Sequence, residues 1–189
     1  MSEANGESPR GIGSVFPPVL DVCCGARMFW FTRSDGRALF VDKRRERVTY
    51  IDRGKVRHSD IDPDLLCDFS KLPFRDETFA LVVFDPPHLK GTGPRGWMRL
   101  KYGGLDQQWE EMLRAGFSEC FRVLKPHGTL CFKWSTVDVP LRRVLALTPV
   151  APLFGNRNPK LSKTHWCVFL KPNDMLTVDL RAQAAGVEA

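Results

Sequence analysis

The amino-acid sequence predicts an α/β protein with a largely parallel sheet, and three observations lead there. Five short apolar runs, Val19 to Cys23, Ala38 to Val41, Ala80 to Phe84, Thr129 to Trp134 and Trp166 to Leu170, are rich in Val, Leu, Phe and Cys. They alternate poorly, as strands covered on both faces do. Between the third and fourth runs, Trp109, Met112, Leu113, Phe117, Cys120, Phe121 and Leu124 recur at helical spacing. A strand, a long helix and another strand in that order is the mark of a parallel crossover. Finally, 189 residues suit one domain. Such a chain buries about 70% of its unfolded surface, so its core needs no metal or disulfide.

Taken in order, residues 1–14 are polar and glycine-rich without periodicity, and we expect a flexible N-terminal tail there. A single domain is expected over 15–175, with a second tail at 176–189. After the strand ending near Asp42, Val48 to Val56 reads as a hairpin turning at Arg53-Gly54, where a helix would be more regular. The helix predicted over Asp106 to Leu124 is stopped by Pro126 and Gly128. Leu141 to Leu147 can form a short helix before Pro149.

The composition, 43% hydrophobic and 26% charged, excludes wholesale disorder. No run approaches the roughly 20 apolar residues of a membrane span, and no signal peptide is readable, so no membrane partner is expected. Six cysteines without a CxxC pair, four of them in or beside apolar runs, fit core thiols in a reducing cytoplasm. We expect neither disulfides nor a metal site. The net charge of +6 is unevenly placed. Basic segments at Lys43 to Arg57 and His88 to Gly103 flank an acidic stretch, so folding could join them as a phosphate-attracting rim; taken separately, they are two solvated loops.

In an open parallel sheet, ligands bind beyond the carboxyl ends of the strands, where strand order reverses. The first strand runs into Asp21-Val22-Cys23-Cys24-Gly25-Ala26, and the glycine would admit a ligand close to the backbone. The second ends at Asp42, twenty-one residues after Asp21, a spacing that suits a carboxylate on a ribose diol. Asp68 follows a further apolar stretch and could accept from an exocyclic amine, or simply cap a turn. The most specific signal is Asp85-Pro86-Pro87-His88. Two prolines remove two backbone donors and hold the chain extended, leaving the Asp85 carboxylate and the Pro86 carbonyl as paired acceptors for an amino group.

These features together resemble the class I S-adenosyl-L-methionine-dependent methyltransferases, over roughly Val19 to Leu170. The resemblance implies a single Rossmann-like domain with a mostly parallel, seven-stranded sheet and flanking helices. It also implies S-adenosyl-L-methionine as cofactor, with Asp21, Cys23, Cys24 and Gly25 near its methionine part, Asp42 and Lys43 at the ribose, Asp68 and Phe69 at the adenine, and Asp85 adjoining. Cys23 stands where that family usually has a glycine. The Asp-Pro-Pro-His sequence is similar to the motif of amino methyltransferases of nucleic acids, which implies Asp85, Pro86, Pro87 and His88 as the catalytic group. His88 replaces the usual larger aromatic residue; an imidazole can stack, hydrogen-bond or titrate.

The segment after the motif, carrying Lys90, Arg95, Trp97, Arg99, Lys101 and Tyr102, interleaves basic and aromatic residues as a substrate-binding lid would. Lys133, at the end of the fifth strand, could pair with Asp85 or reach solvent. Asp85 and Lys133 also fit two places of the Lys-Asp-Lys-Glu tetrad of RNA ribose 2′-O-methyltransferases, and Asn158 to Trp166 faintly resembles the segment holding their final Glu. That Glu is missing, and only Arg10 stands where the first Lys belongs. The expected function is methyl transfer to a base nitrogen of RNA, with DNA close behind. Without room for a recognition domain, a protein partner or homodimer could select the target. Ribose methylation, a small-molecule or protein substrate, and an inactive cofactor-binding regulator are the alternatives.

Overall fold

The computed structural model describes residues 16–90, 96–156 and 162–173. The expected tails, Arg10, Arg95 and the stretch Asn158 to Leu161 lie outside the described residues. One sheet holds β1 (Val19–Asp21), β2 (Ala38–Asp42), β5 (Leu65–Leu66), β6 (Phe79–Phe84), β7 (Leu124–Ser135), β8 (Phe154–Gly155) and β9 (Thr164–Leu170). Their spatial order is β5-β2-β1-β6-β7-β9-β8. The first five strands in that order are parallel, and β9 runs antiparallel to both its neighbours. From β1 the chain winds outward through β2 to β5, then returns to β6 on the other side of β1. Strand order therefore reverses between β1 and β6, and a crevice opens there.

The expected fold class holds, with three helices among the described residues: α1 (Trp97–Tyr102), α2 (Trp109–Val123) and α3 (Leu141–Leu145). α2 buries Trp109, Leu113, Phe117, Cys120 and Phe121 of the stripe read from the sequence against one face of the sheet, with Met112 partly buried and Gly116 buried beside them. Arg122 donates to the carbonyls of Leu72 and Phe74, and Glu119 accepts from the Leu72 amide. These bonds pin the segment after β5 to α2. The chain leaves α2 directly into β7 at Leu124, five residues before the expected start of that strand.

Between β1 and β2 no helix is present. The connection is a series of turns with Arg27 at φ +54°. Trp30 covers the sheet instead: its ring lies 4.8 Å from Phe40, edge to face, and its indole N–H donates to Asp21. One large aromatic side chain thus closes a face that a crossover helix would otherwise cover.

β3 (Glu46–Asp52) and β4 (Lys55–Ile61) form a separate antiparallel ribbon. Arg53 and Gly54 both have positive φ, as a two-residue turn matched to strand twist requires. Val48, Tyr50 and Ile61 make a small core of their own, capped by Leu100 of α1. The two basic segments therefore meet, which is the first of the two arrangements left open by the sequence. All six cysteines are free thiols, and no helix among the described residues is long and apolar enough to cross a membrane.

Candidate active site

A cavity of about 230 Å³ lies at the carboxyl ends of β1, β2, β6 and β7. β1 ends on Asp21, which is fully buried one layer beneath the cavity. Its two oxygens accept from Trp30 Nε1 at 2.8 Å and the Cys23 amide at 3.4 Å. Burial outweighs those bonds and, with Asp85 and Asp42 nearby, pushes the Asp21 carboxyl up to about 7. The next turn presents Cys23, Cys24 and Gly25 to the cavity. Burial also raises both thiols, Cys24 to about 12, so they are neutral lining rather than nucleophiles.

Asp42 links the first two strand ends. Its Oδ2 accepts from the Gly25 amide at 3.0 Å and its Oδ1 from the Arg44 amide at 2.9 Å. Each carboxylate oxygen keeps a second lone pair, so a diol can still be held. Gly25 has φ +50°, and a Cβ there would meet nothing within 4 Å. Its left-handed backbone turns the chain away and leaves the space beside it open.

Phe69 reaches the cavity wall, its ring 5.1 Å from that of Phe84. Asp68 does not line it. Its Oδ1 accepts from the amide and hydroxyl of Ser70, which is the turn cap weighed from the sequence.

Asp85, Pro86, Pro87 and His88 follow β6 and all line the cavity. The Asp85 Oδ2 accepts from Lys133 Nζ at 2.5 Å. Lys133 stands on β7 opposite Trp166 of β9, and its ammonium lies 5.9 Å from the Trp166 ring and 5.4 Å from that of Phe29. A carboxylate on one side and two aromatic rings on the other hold it in place. Burial raises the Asp85 carboxyl, and the Lys133 charge and hydrogen bond oppose this. His88 is lowered by burial, which keeps its imidazole neutral at physiological pH. Two buried polar atoms have no partner among the described residues: Asp85 Oδ1 and His88 Nδ1. Buried polar groups are almost always paired, so two unpaired atoms from one four-residue motif mark a place for a ligand.

Of the expected lid residues, Lys101 and Tyr102 line the cavity, with Gly103 and Gly104 beside them. Trp97 stacks on Tyr50 at 5.9 Å, away from the cavity. The Arg99 guanidinium lies across Gly104, where a Cβ would come within 2.7 Å of it. Lys90 is turned elsewhere: its amide donates to Asp138 and its ammonium sits over Trp109. Sequence reasoning did not single out Met28, Phe29, Arg44 or Ser59, all of which line the cavity. The run Met28-Phe29-Trp30 shortly after the glycine turn was the available signal: Met28 and Phe29 line the cavity and Trp30 packs on Phe40, while the neighbouring Phe31 is fully exposed.

The sheet order and the crevice at its reversal define a Rossmann-like, class I methyltransferase fold. No family model matches the chain, and no curated protein does. Among solved structures it is similar to the PH0226 protein of Pyrococcus horikoshii OT3, with 18% identity and a TM-score of 0.51, covering 82% of this chain and 81% of that one. A TehB-like SAM-dependent methyltransferase from Corynebacterium glutamicum has 14% identity and a TM-score of 0.49, with 87% and 82% covered. The N-methyltransferase NodS from Bradyrhizobium japonicum WM9 has 16% identity and a TM-score of 0.47, with 82% and 86% covered. At such identities the likeness concerns the fold.

Proposed function

We propose that the chain is an S-adenosyl-L-methionine-dependent methyltransferase that modifies an amino nitrogen of a nucleic-acid base, with RNA favoured over DNA. The observation that carries this reading is the Asp85 carboxylate, with one oxygen held by Lys133 and the other buried and unpaired in the cavity. When bound, the cofactor would supply a methyl group on a cationic sulfonium. The residues present fit such a ligand. Asp42 and Asp85 line the cavity with Asp21 buried behind them, and Gly25 leaves the space beside the backbone open. Asp42 would hold the ribose hydroxyls, Cys23 to Gly25 the methionine part, and Phe69 the adenine face.

Transfer from a sulfonium to an amine needs little acid-base help, and placement of the nucleophile dominates. Asp85 Oδ1 accepts one N–H of the target amine and the Pro86 carbonyl the other, which fixes the nitrogen for in-line attack. The neutral His88 ring offers a face and an unpaired Nδ1 to the base. Lys133 opposes the burial that raises the Asp85 carboxyl and fixes its rotamer.

Incubation with labelled S-adenosyl-L-methionine and total RNA, genomic DNA or a metabolite extract, followed by digestion to nucleosides, tests the reading. Label is expected on a base of RNA or DNA. Label confined to metabolites would remove the nucleic-acid reading, and cofactor binding without transfer would leave an inactive regulator. The ribose 2′-O reading has one observation in its favour, the 2.5 Å contact between Lys133 and Asp85. Label on the ribose identifies it.

Lys133→Met gives a pH-dependent outcome. Burial already raises the Asp85 carboxyl and Lys133 counteracts that, so removing the ammonium raises it further. Less carboxylate is then present at neutral pH, and activity returns as pH increases. The acidic limb of the rate profile should move to higher pH, because an opposite charge within hydrogen-bond distance is lost. A profile that keeps its shape and position would remove Lys133 from this role.

A further inference from the structure

We propose that the β3–β4 ribbon, with α1 packed on it, is a guiding arm that binds the phosphates of an extended single-stranded nucleic acid and leads its target base to the cavity. This rests on the nucleic-acid reading above and adds to it the form of the substrate and the residues that hold it.

The ribbon has two unlike faces. Side chains alternate along a strand, so Ile61, Ser59, Arg57 and Lys55 share one face of β4. Ile61 and Ser59 are buried beside α1, and Ser59 also lines the cavity. Arg57 and Lys55 continue the same face into solvent. From Ser59 to Lys55 the strand advances about 14 Å, a span suited to the few nucleotides flanking a target. On β3 the same face carries Asp52, opposite Lys55 but in no ion pair with it among the described residues, and Tyr50, on which Trp97 stacks while staying 38% exposed. Lys101 Nζ lies 5.7 Å from the Tyr50 ring and 4.8 Å from that of Tyr102 at the cavity. The opposite face leaves no Lys or Arg unpaired: Arg47 pairs with Asp60, Thr49 bonds His58, and Ile51 faces Val56.

The charges divide along the ribbon as well. Near the sheet, Arg44 pairs with Asp42 and Glu46, and Arg45 with Asp62. Arg53, Lys55 and Arg57 at the far end, like Lys101, form no ion pair among the described residues. Cations near the sheet thus serve the fold, and those leading away from the cavity are left for an outside partner. Cations interleaved with exposed aromatic rings suit a strand whose bases are unstacked, since phosphates and base faces are both engaged. An acidic peptide would match the charge but would make no use of the Trp97 and Tyr102 rings.

The test is the binding of a labelled single-stranded RNA of about 12 nucleotides, the same sequence as DNA, and its duplex. Fluorescence anisotropy at several salt concentrations, with S-adenosylhomocysteine present, compares the native protein with Arg53→Asn/Lys55→Gln/Arg57→Gln. Asn suits the positive φ at position 53. Three lost phosphate contacts should lower the slope of log affinity against log salt by about 2, and affinity at low salt should fall by at least tenfold. S-adenosylhomocysteine binding and the melting temperature should be unchanged, and Arg75→Gln/Lys125→Gln, at the amino-terminal end of the sheet, should bind normally. RNA and DNA strands distinguish the two possible substrates. An unaltered slope, preference for the duplex, no binding, or equal competition by polyglutamate would each overturn the arm. A strand bound through the ribbon without methyl transfer would leave the arm standing and remove the base reading. Transfer by the triple variant with an unchanged KM would do the reverse.

Discussion

Exchange of Asp85 for Ala is expected to lower methyl transfer by about 10²- to 10³-fold, with cofactor affinity largely spared. The size follows from losing the acceptor that positions the nucleophile, a loss comparable to removing one preorganised hydrogen bond or shifting a reacting atom by about 1 Å. Cofactor binding survives because the contacts assigned to it lie mainly at Asp42, Gly25 and Phe69. Asp85→Ala also strands the Lys133 ammonium, which is only 24% exposed, and an unpaired cation there destabilises the fold. The double variant Asp85→Ala/Lys133→Met removes both charges, so it should recover stability without activity. Asp85→Asn keeps one acceptor oxygen and should regain part of the rate. Steady-state kinetics on an unmethylated oligonucleotide acceptor, beside calorimetric cofactor binding, checks all three. Activity of Asp85→Ala within a few-fold of the native value would end the catalytic assignment.

The largest effect on stability is expected from Gly116→Val. Gly116 sits inside α2, where glycine normally weakens a helix by up to about 1 kcal/mol relative to alanine. Here a Cβ would come within 2.7 Å of the Phe69 ring and 2.8 Å of the Phe84 ring. Both rings are buried in the main core, so neither can swing into solvent. Overpacking of this kind costs about 2–3 kcal/mol, a fall of roughly 5–10 °C in melting temperature for a domain of this size. Phe69 lines the cavity and Phe84 precedes Asp85, so cofactor affinity should drop with stability. Differential scanning calorimetry and a cofactor titration of the same sample read both. Unchanged melting would mean that the rings yield more readily than their packing implies.

Much of this arrangement was legible in the sequence. Helix α2, the buried strands and the turn at Arg53-Gly54 each depend on local periodicity or on a backbone demand that few residues meet. The Asp85 to His88 group was legible because two adjacent prolines leave a strand end few conformations. Two things were not. The link between β1 and β2 holds no helix because Trp30 covers Phe40 and bonds Asp21, a long-range fit that no local pattern records. The lid was placed from its position next to the motif, yet Trp97 stacks on Tyr50 and Lys90 turns toward Asp138. Those partners lie 47 and 48 positions away along the chain, and proximity in sequence could not choose between them. The contact of Lys133 with Asp85 was one of two options left open, and the parallel pairing of β6 with β7 selects it.

Gly103, at the end of α1, has φ +77°, and a Cβ there would stand 3.1 Å from Pro87 Cγ. The turn closing α1 therefore rests on the second proline of the motif, while the start of the same helix grips Tyr50 through Trp97. Ribbon, helix and the motif after β6 are joined in series, like the parts of a lever whose short end is Pro87. Any displacement of the ribbon relative to the sheet would have to pass through α1 to Pro87, two residues from Asp85, so the ribbon's position and that of the strand end are not independent.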